Sequence, residues 1–389
     1  MKIKLNDKWT IKTAKELYTY TSGISKGSQF FGTGYPYLTF TEIFHNYFVP
    51  EVLTSLVQSN ERERENCSIK RGDVFLTRTS ETDDELGMSC VALKDYPNAT
   101  FNGFTKRLRP LTDEVVPEYA GFYFRSPIFR AAVTSMSSII TRASLNEKML
   151  DKLPICYPSK PTQQKIASIL SAYDKLIQNY KKQIEALQTG TCELYKEWFV
   201  RFRFPGWKNA KFENGIPEGW KVVLASELGE FIRGKNITAE EMQEGMIPVI
   251  SAGIEPSGFH NQSNVKGVSL TISNSGANAG YLQINYSDIW AADCSYCNSA
   301  KHIYFYYELL NNMRVVLFNL QKGAAQPHVY AKDINKMKIL LPPSELIETA
   351  NKKIKLMHEK IYSLQQQITN LTQQRDLLLP RLMSGKLEI

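Results

Sequence analysis

Residues with the types and spacing for chemistry are few in this chain. In "GEFIRGKN" (Gly229–Asn236), Gly229, Gly234 and Lys235 have the G-x-x-x-x-G-K spacing that lets backbone N–H groups and an ammonium cradle phosphates. Asn236 stands where such a loop needs a hydroxyl for magnesium. Cys294 and Cys297 in "DCSYC" form a lone C-x-x-C. A structural zinc site wants a second pair, or histidines at ligand spacing. Neither is evident, so buried thiols are the reading. "FFGTG" (Phe30–Gly34) has the look of a glycine loop that could hold the methionine part of S-adenosylmethionine. It has no Asn-Pro-Pro-aromatic partner, and "LPPS" (Leu341–Ser344) is no substitute, so a turn is the simpler reading. His45, His260, His302, His328 and His358 are scattered, and no HExxH or G-x-S-x-G occurs. The pattern is that of a binding protein, not a catalyst.

Any such residues must be held by elements, and 389 residues allow two or three domains. Hydrophobic content of 43% and charged content of 22% suit a soluble globular protein. A net charge of +8 and a pI of about 8.9 suit a polyanionic partner. No apolar run approaches the roughly 18 residues that would cross a bilayer, and "MKIKLNDKWT" lacks the apolar core of a secretory signal. Six cysteines without pattern point to free thiols in a reducing cytoplasm.

The chain repeats itself. "WTIKTAKELYTYTSGISK" from Trp9 matches "WKVVLASELGEFIRGKNI" from Trp220: Trp9, Ala14, Glu16, Leu17 and Gly23 meet Trp220, Ala225, Glu227, Leu228 and Gly234. "DVFLTRTS" from Asp73 resembles "GVSLTISN" from Gly267, with Val74, Leu76 and Thr77 opposite Val268, Leu270 and Thr271. "SLNEKMLDKLPICYP" from Ser144 resembles "HVYAKDINKMKILLP" from His328. The first copy is the longer. The repeat disposes of the phosphate loop, because Tyr18 and Ser22 stand opposite Gly229 and Arg233 and only the second glycine is shared. The segment reads as a turn at the start of a repeated domain, with Gly234 serving backbone geometry.

A polar helical stretch follows each copy. From Pro161, a good first-turn residue, alternating steps of four and three select Ile166, Leu170, Tyr173, Ile177, Tyr180, Ile184, Leu187, Thr191, Leu194 and Trp198. The same register selects Ala350, Ile354, Met357, Ile361, Leu364, Ile368, Leu371, Arg375, Leu378 and Leu382. Each series has a single break, Thr191 in one and Arg375 in the other. This is a coiled-coil seam, and each helix has a matched partner within the chain. About 40 helical residues extend about 60 Å.

The globular copies read as mixed α/β (α+β). "GDVFLTR", "GVSLTIS", "KHIYFYY" and "MKILLP" read as strands, and Val268, Leu270 and Ile272 alternate as in a half-buried one. "VPEYAGFYFRSPIFRAAVTSM" and "ELLNNMRVVLFNLQKG" read as helices. Polar loops follow equivalent strands, "RTSETDDELG" and "SNSGANAGYL"; two more precede equivalent strands, "TRASLNEK" (Thr141–Lys148) and "AQPHVYAK" (Ala325–Lys332). Arginine suits guanine, Asn and Gln suit adenine, and Ser, Thr and Lys suit phosphates.

The order domain, long helix, domain, long helix resembles the DNA-specificity subunit of type I restriction-modification systems. "LPICYPSKPTQQKIASIL" is similar to that family's passage from target-recognition domain into helix. "LYKEWFVRFRFPGW" is similar to the end of its central helix, and "LLLPRLMSGKLEI" to its C-terminus. "SGISKGSQFFGTGYPYLTF" and "GDVFLTRTSETDDELGMS" resemble one version of its target-recognition domain. The resemblance spans essentially the whole chain. It implies two globular target-recognition domains, residues 1–158 and 206–342, separated by two long antiparallel coiled-coil helices, 159–205 and 343–389, in a pseudo-twofold repeat. It also implies a bipartite site on double-stranded DNA, two methylation subunits and motor-nuclease subunits as partners, and no catalysis by this chain. S-adenosylmethionine, ATP and magnesium would reside on the partners, in the cytoplasm. The candidate DNA contacts are Lys26, Arg78, Thr79, Ser80, Glu81, Thr82, Arg142 and Ser144 in the first domain. In the second they are Lys235, Ser273, Asn274, Ser275, Asn278, Gln326 and His328. Lys26 and Lys235, beside the shared glycine, are candidate phosphate contacts. The competing reading is a coiled-coil interaction scaffold with no DNA specificity, and a salt-independent protein partner would favour it.

Overall fold

The computed structural model describes residues 9–80, 85–136, 143–323, 326–387 and 389. The chain divides into two compact units, Met1–Gln178 with Thr369–Ile389, and Asn179–Ile368.

In the first unit the strands are β1 (Thr10–Thr13), β2 (Tyr18–Ser22), β3 (Phe31–Leu38), β4 (Leu56–Val57), β5 (Val74–Thr77), β6 (Thr79–Ser80), β7 (Ser89–Val91), β8 (Thr100–Phe101), β9 (Thr105–Pro110), β10 (Ala143–Ser144) and β11 (Pro154–Tyr157). An antiparallel sheet has the order β2-β9-β5-β7. A second has the order β4-β3-β8, with β3 antiparallel to β4 and parallel to β8. β1 pairs with β11, and β6 with β10. The alternation of side chains along β5 feeds two cores at once. Val74 and Leu76 pack with Tyr119, Phe122, Tyr123, Phe124 and Phe129. Phe75 faces Ile24, Tyr37, Leu38 and Phe101. The stretch expected as one helix is two, Pro117–Tyr123 and Pro127–Met136. Pro127 supplies no N–H and disfavours helical geometry before it.

The second unit holds β12 (Phe212–Glu213), β13 (Ile216–Pro217), β14 (Lys221–Leu224), β15 (Ile232–Arg233), β16 (Ile247–Ile250), β17 (Gly258–His260), β18 (Ser269–Ser273), β19 (Leu282–Asn285), β20 (Trp290–Ala291), β21 (Cys294–Cys297) and β22 (Lys338–Leu341). Its sheets repeat those of the first unit, as β15-β21-β18-β19 and β17-β16-β20, and β14 pairs with β22 as β1 does with β11. β12 and β13 form a further hairpin. Two expectations are corrected. Residues 301–307 are not a strand: Ile303–Asn312 is a helix, with Tyr304, Phe305, Tyr306, Leu309 and Leu310 buried and Asn351 Oδ1 accepting from the Phe305 N–H at 3.0 Å. Burial of an aromatic run overrides its strand propensity. β18 is buried along its whole length rather than half-buried.

The shared glycine has one purpose in both units. A Cβ on Gly23 would meet the Phe101 and Asn102 carbonyl oxygens at 2.3 Å, and one on Gly234 would meet those of Ala292 and Ala291 at 2.4 and 2.6 Å. Ile24 then donates to Phe101 O at 3.0 Å, as Lys235 does to Ala291 O at 2.9 Å. Gly229 packs against Cys297 and Ala300. These glycines serve close packing. Cys294 and Cys297 are free and buried, and burial pushes the Cys294 thiol up to about 12. Among the described residues no group of His, Cys, Asp and Glu could hold a metal, and no helix is long and apolar enough to cross a membrane.

The long helices are Lys160–Tyr195, continued by a π-helical Lys196–Val200, and Ser344–Met383. Gly385, at φ 68°, provides the left-handed residue that commonly follows a helix end. Every seam position is buried or half-buried. In the first unit Ile166 and Leu170, near the start of the central helix, share a core with Leu379 and Leu382, near the end of the other. Ile177 is buried, and Tyr173, Leu371 and Leu378 are half-buried. In the second unit Tyr195 and Trp198, late in the first of the two stretches, cluster with Ile347 and Ile354, early in the C-terminal helix. Ile361 and Leu364 are buried there, and Ile184, Leu187 and Ile368 are half-buried. The helices are therefore antiparallel. The two breaks are filled differently. Arg375 pairs with Asp174 at 2.7 Å, with side chains 16% and 23% exposed, and lies 5.3 Å from the Tyr47 ring centre. Thr191 instead lines a cavity of about 500 Å³ together with Tyr286, Glu308 and His358. His358 bonds Tyr286 Oη at 2.8 Å and Glu308 at 3.2 Å.

Candidate nucleic-acid interface

The central strand of each unit ends in polar residues, and the chain there turns to meet a second polar segment. In the first unit Thr79 lies opposite Ser144, and Ser80 opposite Ala143. Arg78 precedes this ribbon; its N–H donates to Phe104 O at 3.0 Å, and its carbonyl accepts from the Leu145 N–H at 2.8 Å. In the second unit Asn274 donates to Asp293 O at 3.3 Å and accepts from the Val329 N–H at 2.9 Å, while Ser275 bridges to His328. Arg78 and Asn274 are thus equivalent. The expected polar loops meet pairwise in both copies.

The side chains differ in how they are committed. Arg78 is half-buried, its Nε is enclosed with no hydrogen-bond partner, and its guanidinium makes no ion pair among the described residues. A buried donor without a partner is costly. Thr79 is half-buried. Glu81, Thr82 and Arg142 lie outside the described residues, as do the side chains of Ser80 and Ser144. In the second unit Ser273, Asn274 and Ser275 are buried and internally bonded. Ser273 Oγ donates to Ala252 O at 3.0 Å, Ser295 Oγ donates to Asn274 Oδ1 at 2.7 Å, and Ser275 Oγ bonds the Asp293 carboxylate. They shape the loop. Asn278 closes a half-buried turn. Gln326 is exposed, and its carbonyl bonds His328 Nδ1 at 2.9 Å. His328 stacks on Tyr330 with centroids 6.1 Å apart, and the Lys332 ammonium lies 5.7 Å from the same Tyr330 ring.

The two lysines also part company. Lys26 pairs with Glu63 at 2.6 Å, is 19% exposed, and lies 5.4 Å from the Phe30 ring centre; its hydrogen bond holds Glu63 below the usual carboxylate range. Lys235 is exposed, with its backbone fixed to Ala291 and by Trp290 Nε1 at 2.8 Å and its ammonium unpaired among the described residues. Sequence reasoning missed Arg233, Tyr330 and Phe104. Arg233 is exposed and unpaired among the described residues, and lines a cleft of about 200 Å³ with Asn274, Asp293, Ser295, His328 and Tyr330. Its place beside the shared glycine was the available signal.

A solved counterpart exists for this repeated α/β architecture on antiparallel helices. The structure is similar, at TM-score 0.63, to the crystal structure of the type I restriction-modification S subunit from M. genitalium, with 17% identity covering 97% of this chain and 96% of that one. The family model described as "Type I restriction modification DNA specificity domain" matches residues 6–189 and again 217–377, and the chain belongs to that family. It is 27% identical to the specificity subunit of the type I restriction enzyme MjaIX of Methanocaldococcus jannaschii, over 99% of this chain and 95% of that one. It is also 34% identical to the MjaVIII specificity subunit of the same organism over 101 residues, 26% of this chain and 24% of that relative. Its role lies in DNA specificity and not in catalysis.

Proposed function

We propose that this chain binds a bipartite site on double-stranded DNA, with residues 1–158 reading one half and 206–342 the other. The observation that carries this reading is the doubled ribbon, in which a polar segment after the central strand pairs with a second polar segment in each copy. Arg78 reads a base in the first half, and Arg233, His328 and Gln326 face the second. Exposed Lys235 adds phosphate attraction that carries no sequence information. The long helices (159–205 and 343–389) act as the ruler between half-sites, about one DNA turn or ~34 Å apart. Two methylation subunits dock on the chain and methylate adenine, and motor-nuclease subunits join for cleavage. S-adenosylmethionine, ATP and magnesium belong to those partners. The assembly works in the cytoplasm.

The test is co-expression with the neighbouring methylation subunit in a host without adenine methylation, followed by long-read mapping of modified adenines. A two-part motif with a fixed gap is expected. An assembled complex that leaves adenine unmodified would favour the scaffold reading.

A further inference from the structure

Phe104 stands beside Arg78 and is 57% exposed, with no aromatic or cationic neighbour on its ring among the described residues. Single exposed apolar residues are ordinary on a protein surface. This one is fixed in place. Its carbonyl accepts the Arg78 N–H at 3.0 Å, and its own N–H donates to Asn102 Oδ1 at 2.7 Å. Thr105 Oγ1 closes the same turn on Asn102 O at 2.6 Å. Gly103 admits the close approach of Ser25, whose Oγ a Cβ would meet at 2.1 Å. The structure therefore holds an apolar ring and a guanidinium on adjacent backbone positions, with the guanidinium's Nε unpartnered.

Arg78 and Phe104 follow directly on the Thr77–Thr105 pair that ends the β5–β9 ladder, where opposite side chains stand ~5 Å apart, the same scale as the ~3.4 Å step between base pairs. The two groups can address neighbouring pairs. In the major groove an arginine finds guanine O6 and N7, and an apolar side chain finds the C5-methyl of thymine. The other copy argues for DNA over protein as the partner. The residue equivalent to Phe104 is Asp293, whose carbonyl accepts from Asn274. A protein docking in two identical copies would meet the same chemistry at both places, whereas two different half-sites would not.

We propose that Phe104 reads a thymine methyl next to the base addressed by Arg78, making it a specificity-determining residue of the first half-site. This rests on the DNA-specificity reading above. The test uses the full chain with its methylation partner, on duplexes carrying the mapped site with each thymine of the first half replaced in turn by uracil. At one position next to that relaxed by Arg78→Ala, uracil should weaken wild-type binding about fourfold, the worth of one buried methyl. Phe104→Ala should lose a similar factor on the thymine duplex and bind both duplexes alike. Phe104→Leu should keep the discrimination. Unaltered thermal unfolding of Phe104→Ala accompanies this, since the ring supports no core. A wild-type complex indifferent to uracil throughout the half-site overturns the proposal, as does a Phe104→Ala complex that keeps the wild-type ratio. A wild-type complex with no sequence preference at all overturns instead the DNA reading beneath it.

Discussion

Arg78 and Lys235 are both cations at the polar end of a copy, yet their surroundings assign them different work. Arg78 is half-enclosed with an unsatisfied Nε, and Lys235 is open to solvent. Arg78→Ala should relax one base of the site and cost about 1–3 kcal/mol against the preferred sequence. Lys235→Ala should weaken all sequences alike and lower the slope of log affinity against log salt by about one. Binding titrations on the mapped site and on single-base variants, at several salt concentrations, separate the two; uniform loss in both mutants would remove the base-reading role of Arg78. Residue chemistry was partly legible in the sequence. The repeat located the polar segments, but side-chain direction did not follow from it. Ser273, Asn274 and Ser275 turned inward because Ser295, Asp293 and Ala252 offered partners from elsewhere in the chain. Lys26 found Glu63, a residue no local pattern tied to it.

At the scale of elements, the sequence match between β5 and β18 slipped by two residues. It set Val74 against Val268, whereas the ladders set Leu76 against Ile272 and Arg78 against Asn274. A slip of two keeps every side chain on its own face, so apolar pattern alone could not detect it. The seam was legible in full because a heptad names its own partner positions. The shared glycines yield a prediction here. Gly23→Ala or Gly234→Ala places a methyl against fixed carbonyl oxygens and should cost about 1–3 kcal/mol of stability by thermal or urea unfolding. No loss would mean that the neighbouring strand yields. Asp174→Ala removes one of the two carboxylates on the Arg375 guanidinium, leaving Asp376 at 2.8 Å as the other. It should destabilise by about 1 kcal/mol, since Asp376 still holds the guanidinium in its half-buried place; recovery in a double Asp174→Ala, Arg375→Leu variant would show that the weakened pairing is the cause.

For the whole molecule, the proposed ruler makes a quantitative demand. One heptad inserted at matching points of both long helices adds about 10 Å. The gap between half-sites should then grow by about three base pairs, since ten span ~34 Å. The half-sites themselves should not change. Exchanging residues 1–158 for the corresponding domain of another family member should do the reverse, altering one half and keeping the gap. Methylation mapping reads both results, and a variant whose gap ignores helix length would sever the helices from spacing.

The division of the chain also bears on how it is made. Leu379, Leu382 and Met383 belong to the same core as Val74 and Phe129, although about 250 residues separate them from that helix and about 300 from that strand. A ribosome therefore delivers most of the first unit before the second, and its last wall only after the second. Until then Ile166 and Leu170 have a bare flank, a surface on which a nascent chain is open to misassociation. The second unit, whose segments are contiguous from Asn179 to Ile368, has no such wait. The part synthesised first is the part completed last.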